Sequence, residues 1–277
     1  MSDILRVMAW NCHGATASSA VWDYFLESKP DVALLQEVGA VPARVKEQFG
    51  CAIEPAMRKD GTPQRFHTAI LVRGQIGRVI PLLGPLPWVN AELQRIAGNV
   101  VARVVQPDKG PSLNVVSVYC PAWYVDRARL AGLDISAVKL TQNLKVWGAD
   151  LLWYNLLHEA PAPDVPWIIG GDFQTSETFD FMQPRPRGNR ETLDRMAALG
   201  LVECLRRWQR APTPTFRNSS DRKILHQIDH LFTTQVLADR LLDCATGSRE
   251  QVFGAGLSDH LPIIAEFNVE PQESRPT

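Results

Sequence analysis

The stretch Pro166-Trp167-Ile168-Ile169-Gly170-Gly171-Asp172-Phe173-Gln174 constrains this chain more than any other. Trp167 to Ile169 read as a short buried strand that ends on glycines. Two glycines let the backbone turn sharply and let another group approach closely. The strand then presents one carboxylate, Asp172. A carboxylate fixed at the end of a rigid strand suits metal binding or proton abstraction. Gly and Asp are also ordinary turn residues. Alone, the stretch leaves a turn and a catalytic position equally open.

The chain around it has 277 residues, within range for one large sandwich or barrel. Its formal net charge is -1, so no global basic field advertises nucleic acid. That argues against a passive coat on DNA but not against a nuclease, which can rely on a local patch and a bound cation. The five cysteines are widely spaced with no C-x-x-C, which fits free thiols in a reducing compartment. Met1 to Arg6 carry no signal-peptide pattern, and no apolar run of about 18 residues offers a membrane span. Cytoplasm is the expected location.

Leu5 to Trp10 read as a strand broken by Asn11-Cys12-His13-Gly14. Ser18 or Ser19 can cap a helix burying Trp22, Phe25 and Leu26. Val32 to Leu35 form a second buried strand ending in Gln36-Glu37, and Pro42 opens a short helix through Phe49. From Cys51 to Tyr119 the texture is β, with runs at 68–72, 78–80, 99–105 and 113–119. Leu82 to Val89 read as a proline-punctuated loop. Ser136 to Glu159 read as one long helix with an apolar stripe of Leu140, Leu144, Trp147, Leu151 and Tyr154, ended by Pro161 and Pro163. A helix near Glu191 to Leu199 stops at Gly200. Ile228 to Thr233 and Leu261 to Val269 are the last strands. The pattern implies two packed sheets with helices outside, one domain over 1–269 and a flexible tail over 270–277.

Several of these strands end in a polar group, and loops at strand ends are where sites are built. Asn11, Glu37, Tyr119 and Asp172 each follow an apolar run, Asp229 follows Ile228, and Asp259-His260 precede the last strand. Each has an ordinary reading as a solvated strand end or surface turn. Histidine adds a group whose unperturbed pKa lies near neutrality.

The combination resembles the endonuclease/exonuclease/phosphatase superfamily. Trp10-Asn11-Cys12-His13-Gly14, Leu35-Gln36-Glu37, Val118-Tyr119-Cys120-Pro121, Gly170-Gly171-Asp172-Phe173, Ile228-Asp229-His230 and Leu257-Ser258-Asp259-His260-Leu261-Pro262-Ile263 stand in that superfamily's order, from about Arg6 to Phe267. The Tyr-x-Pro segment places the likeness on the exonuclease III and retroelement-endonuclease side. The resemblance implies a four-layer α-β-β-α sandwich, two packed mixed β-sheets flanked by helices, with a divalent-metal site at one edge. It implies Glu37 as the principal metal ligand, with Asn11 and Asp259 nearby, holding Mg2+ or Mn2+. It implies Asp172 orienting or deprotonating water, His260 contacting the phosphate, Asp229 fixing the His260 tautomer, and Tyr119 donating to a phosphate oxygen.

Three positions depart from the family pattern. Gln174 stands where Asn is usual, His13 where an acidic residue is frequent, and Ala122 where members on that side carry Asn. They leave the core reaction intact and the substrate open. Gln174, His13, Trp123 and Arg217 are candidate substrate contacts. Residues 184–223 hold ten basic residues against four acidic ones, a formal +6, with Trp208 and Phe216 interleaved. Such a stretch can track a phosphate backbone and stack bases, or be a solvated face whose arginines pair with acids. The expected activity is metal-dependent phosphodiester hydrolysis, as a nuclease on DNA or RNA. Hydrolysis of a small or lipid phosphoester, and a non-catalytic binding role, are the alternatives. Nothing in the sequence names a protein partner.

Overall fold

The computed structural model describes residues 4–120, 122–143, 145–159, 164–182 and 188–270. One six-stranded sheet contains β1 (Ile4–Ala15), β2 (Val32–Val38), β3 (Gly50–Met57), β4 (Pro63–Val72), β13 (Leu241–Thr246) and β14 (Ile263–Asn268), in the order β13-β14-β1-β2-β4-β3. The other contains β5 (Gly74–Val79), β6 (Val100–Pro107), β7 (Leu113–Tyr119), β8 (Trp167–Asp172), β9 (Leu201–Glu203) and β12 (Asp229–Thr234), in the order β5-β6-β7-β8-β12-β9. β10 (Phe216–Arg217) and β11 (Ile224–His226) form a small ribbon. Both sheets are mixed: β1–β2 and β7–β8 run parallel, and their outer neighbours antiparallel.

The period of two along each strand builds the layers. Leu5, Val7 and Ala9 of β1 join Val115 of β7, Ile168 of β8 and Leu231 of β12 in the core between the sheets. Met8 and Trp10 point the other way, onto α1 (Val21–Glu27) and α2 (Ala43–Lys46). Val116, Ile169 and Phe232 face α4 (Gly148–Glu159) and α5 (Asn189–Ala198) on the far side. Strands buried on both faces read as unbroken apolar runs, as Val32 to Leu35 do. The result is the expected α-β-β-α sandwich.

Several local expectations shift. Helix α1 starts at Val21 with no side-chain cap, because Ser19 Oγ instead accepts the Thr16 N–H at 2.8 Å. Trp22 and Phe25 are buried as the spacing predicts. A third helix, α3 (Pro87–Arg95), emerges from the supposed loop, with Pro87 in its first turn. The long helix over 136–159 is only α4. Asn143 Oδ1 accepts the Lys145 N–H, and Asp150 Oδ2 accepts the Trp147 N–H at 2.9 Å. The Asp150 bond caps the start of the helix at 148, while 136–143 close shorter turns, such as that from the Val138 N–H to the Ile135 carbonyl at 3.1 Å. Leu140, Leu151 and Tyr154 are buried all the same. Leu144, Pro161, Pro163 and all of the tail after Glu270 lie outside the described residues. No described helix is long and apolar enough to cross a membrane.

The glycines of β8 sit where the two sheets meet. Gly171 has φ +136°, and a Cβ there would collide with the Val118 carbonyl and lie 2.6 Å from Gln36 Nε2 of the facing sheet. That Gln36 amide donates to Ser117 Oγ at 3.0 Å, joining β2 to β7. Gly171→Ala is therefore expected to cost about 3 kcal/mol or more, since it combines backbone strain with a backbone collision. Thermal denaturation of the variant against the parent checks this; an unchanged midpoint would contradict it.

Candidate active site

Inward parity carries the site out of the core. Ser117 and Tyr119 continue the inward side of β7, Gly170 and Asp172 that of β8, and Asp229 that of β12. Register then aligns them: Tyr119 pairs with Asp172 across β7–β8, and Asp172 pairs with Asp229 across β8–β12. On the facing sheet Asn11 continues Val7 and Ala9 of β1. The inter-sheet core thus ends in a polar edge where β1, β2, β7 and β8 finish and β12 begins.

Glu37 falls on the outward parity of β2. Its φ of +51° breaks the alternation, and the β2–β4 register shifts between Leu35 and Val38. The Asn11 Nδ2 donates to Glu37 Oε1 at 3.1 Å and to Asp172 Oδ2 at 3.1 Å. His13 at φ +48° and Gln174 at φ +51° are left-handed as well. Non-glycine residues seldom adopt this conformation, and three of them cluster here. Gln174 donates to Asp172 twice, from its backbone N–H to Oδ1 at 3.0 Å and from Nε2 to Oδ2 at 2.9 Å. The extra methylene is thereby absorbed within a turn that folds back on the carboxylate.

His260 Nδ1 meets both oxygens of Asp229, at 2.9 and 3.0 Å. Its Nε2 lies 4.0 Å from Asp172 Oδ2 and 3.9 Å from Asp259 Oδ1. Several residues outside the expected set hold this histidine. Ser258 Oγ accepts the His260 N–H and donates to the Asn11 carbonyl at 2.7 Å. Trp10 Nε1 donates to the His260 carbonyl, and the Phe216 ring packs 4.9 Å from the imidazole. Ser258 adjoined the Asp-His pair in the sequence; the long-range partners left no local signal.

Burial sets the electrostatics. It disfavours the charged forms of both Asp172 and His260. Asp172 is pushed up to about 7, with Asp229 adding to burial while His260 and Gln174 oppose it. For His260 burial works downward, yet Asp229, Asp172 and Asp259 outweigh it and raise the imidazole to about 10. Burial, with Glu37 and Asp172 beside it, pushes the Tyr119 phenol far up, so its hydroxyl stays a donor.

Asp172, Asp229 and His260 offer ligand atoms within 4.8 Å of one another. His260 Nδ1 is taken by Asp229 and its Nε2 stands 4.0 Å from Asp172, beyond hydrogen-bond reach, so Asp229 and His260 form a hydrogen-bonded pair that faces Asp172. Two other groups could hold a cation: the Glu37 carboxylate, and Asp259 Oδ1, a buried oxygen without a well-directed hydrogen bond, with His13 Nδ1 3.0 Å away. Asn11 stands next to Glu37. Hard oxygens of this kind suit Mg2+ or Mn2+.

The remaining expected residues are placed less centrally. Trp123 lines a small hollow with Arg95 and Arg129, apart from Asp172. Arg217 Nη1 donates to the Phe253 carbonyl at 3.0 Å and its guanidinium lies over the Phe253 ring. Part of the charge of the +6 segment is taken up by carboxylates, as its alternative reading as a paired face expects, and only Glu177 and Asp239 of these lie outside it. Arg190 pairs with Glu177 and Asp194, Arg195 with Glu191, Arg206 with Glu177, and Arg207 with Asp239. Acids from within and outside the segment answer its charge. Arg185, Arg187 and Pro121 lie outside the described residues.

A family model described as endonuclease/exonuclease/phosphatase matches residues 8–260. No curated protein matches the chain. Among solved structures, an AP endonuclease from Archaeoglobus fulgidus superposes with a TM-score of 0.68 at 18% identity, covering 96% of this chain and 100% of that one. The 3′ phosphatase NExo from Neisseria, bound to a product DNA hairpin, gives 0.67 at 19% identity, covering 95% and 99%. The APE2 catalytic domain of Xenopus laevis gives 0.65 at 16% identity, covering 97% and 94%. At such identities the likeness is one of fold.

The Asp229–His260 pair predicts how His260 titrates. In the parent protein its imidazole should stay protonated from about pH 6 to 9, below its raised pKa of about 10. In Asp229→Asn the raising charge is gone while burial remains, so the pKa should fall by at least about one unit. Nitrogen-15 NMR of the imidazole checks both; a His260 that titrates near its ordinary value of about 6.5 in the parent contradicts the pairing.

Proposed function

The chain belongs to the endonuclease/exonuclease/phosphatase family, and on that premise we propose that it is a divalent-metal-dependent phosphodiester hydrolase, a nuclease acting on DNA or RNA. One observation carries this reading: a buried Asp229–His260 pair faces, at 4.0 Å, the buried Asp172 carboxylate, and burial and neighbouring charge push both the imidazole and that carboxyl upward. An acid and a base pushed in these directions are suited to opposite ends of one proton-transfer reaction.

Asp172 takes a proton from the attacking water. Its oxygens are aimed by Asn11 and by the two donors of Gln174. The water oxygen forms a new bond to phosphorus, the bond from phosphorus to the leaving oxygen breaks with its electron pair going to that oxygen, and the leaving oxygen takes up a proton from solvent. His260, held in one orientation by Asp229, donates from Nε2 to a phosphate oxygen as charge builds there. Tyr119, fixed as a donor, contacts another phosphate oxygen. Glu37 and Asp259, with Asn11 alongside, would hold a divalent cation, which when bound would supply further neutralisation of the phosphate charge.

Hydrolysis of bis(p-nitrophenyl) phosphate and of labelled DNA and RNA, with Mg2+ or Mn2+ and with EDTA, tests this reading. Cleavage only with the metal is expected, and Asp172→Asn should lower kcat by about 10²–10⁴-fold. Absence of cleavage on every phosphodiester, or full activity in Asp172→Asn, sinks it. The pH profile should rise through about pH 7 as Asp172 loses its proton and fall near pH 10 as His260 loses its own. Calorimetry with Mn2+ reads the metal site directly: Glu37→Gln should weaken binding at least about ten-fold.

A further inference from the structure

A pocket of about 170 Å³ opens directly beside this site. Trp147, Phe173 and Phe179 supply aromatic walls, and Asn143, Gln174 and Asn189 supply amides. Gln174 is shared: it forms one wall, and its Nε2 bonds Asp172. Whatever fills the pocket lies one side chain from the carboxylate. The volume is below the roughly 300–1,000 Å³ of pockets that enclose a drug-sized ligand, and suits a single planar ring system.

A basic, aromatic surface leads away from it. Tyr124 meets Trp147 edge-on, with ring centroids 5.8 Å apart. Lys145 Nζ lies 3.8 Å and Lys59 Nζ 4.7 Å from the Tyr124 centroid. Both lysines are exposed. Unlike the paired arginines of residues 188–223, neither forms an ion pair with a carboxylate among the described residues. The platform is rigid. Val125 N–H donates to the Val146 carbonyl at 2.8 Å, and Asp150 holds the Trp147 N–H.

We propose that this pocket seats one unpaired nucleobase of a nucleic-acid strand, with Tyr124, Lys59 and Lys145 carrying the adjoining nucleotide, so that the enzyme selects single-stranded or locally unpaired substrates. The inference rests on the phosphodiester-hydrolase reading. Base-on-aromatic stacking is tolerant of sequence and pairs naturally with cations tracking the phosphates. With their amide nitrogens on Asp172 and Asp180, Gln174 and Asn189 can still offer their side-chain oxygens to a donor on the edge of a base. A base inside a duplex is already stacked and paired, and must break both interactions to leave; an unpaired one enters without that cost. Gln174 thus links the two sites: the side chain that lines the base pocket also aims Asp172.

Fluorescence anisotropy in EDTA, with no turnover, tests the proposal using a labelled single strand, a blunt duplex of the same sequence, and a competing mononucleotide. The single strand should bind about ten-fold or more tightly than the duplex. Trp147→Ala should lose about ten-fold or more for the single strand, and Trp147→Phe should keep most of the affinity. Lys145→Gln, an exposed change that leaves the fold alone, should lower the slope of log K against log salt by about 0.7. Equal binding of strand and duplex, a mononucleotide as tight as the strand, or unchanged affinity in both Trp147→Ala and Lys145→Gln overturns it. Hydrolysis of bis(p-nitrophenyl) phosphate by the parent protein is measured alongside. Failure there with strand preference intact defeats the hydrolase reading; normal hydrolysis without strand preference defeats this one.

Discussion

The close approach of β8 to the facing sheet is the constraint on which the rest depends. A Cβ at Gly170 would press on Leu231 Cδ1 of β12, and one at Gly171 would run into the Val118 carbonyl and into Gln36 of the facing sheet. At Gly171 only bare backbone fits against that sheet. That contact brings Asn11 and Glu37 of one sheet to Asp172 of the other, so a site shared between two sheets closes to hydrogen-bond distance. The glycines matter to chemistry through geometry: they remove bulk, and the polar edge converges.

Convergence places charges where water is scarce, and that has an energetic cost. Asp172 and Asp229 are fully buried, and His260 is nearly so. Two carboxylates this close are tolerable because an imidazolium sits between them and because donors from Asn11 and Gln174 satisfy the oxygens. The ionised form of Asp172 is still disfavoured, which is what lifts it toward neutrality. The left-handed backbone at His13, Glu37 and Gln174 adds strain at the same edge. Stability lost here and reactivity gained here are two descriptions of one arrangement.

The strands were legible because their signal is local. Val32 to Leu35, Leu113 to Tyr119 and Trp167 to Ile169 announce themselves by apolar runs, and each ends close to where its composition changes. The region 136–147 misleads for a physical reason. Its apolar spacing is helical, but Asp150 reaches back to the Trp147 N–H and fixes the start of the helix at 148, leaving the residues before it in turns. The charged segment was ambiguous for another reason: Glu177 and Asp239, which pair with Arg190, Arg206 and Arg207, stand outside it, so local composition could not show which of its arginines are paired.

The sequence by itself determined the two-sheet architecture and the identity of the polar groups at the strand ends, because period-two alternation and residue type are written locally. Asp172 could be singled out as a carboxylate after two glycines. Only the tertiary structure decided that Asp172 faces His260 rather than solvent, and that Gln174 folds back to bond it. The same holds for the Trp147 pocket beside it. Those outcomes depend on register between strands distant in the chain, on burial that shifts proton affinities, and on contacts from Asn11, Asp229 and Phe216. Chemistry at this edge is a property of the assembled sheets, and no single stretch of the chain contains it.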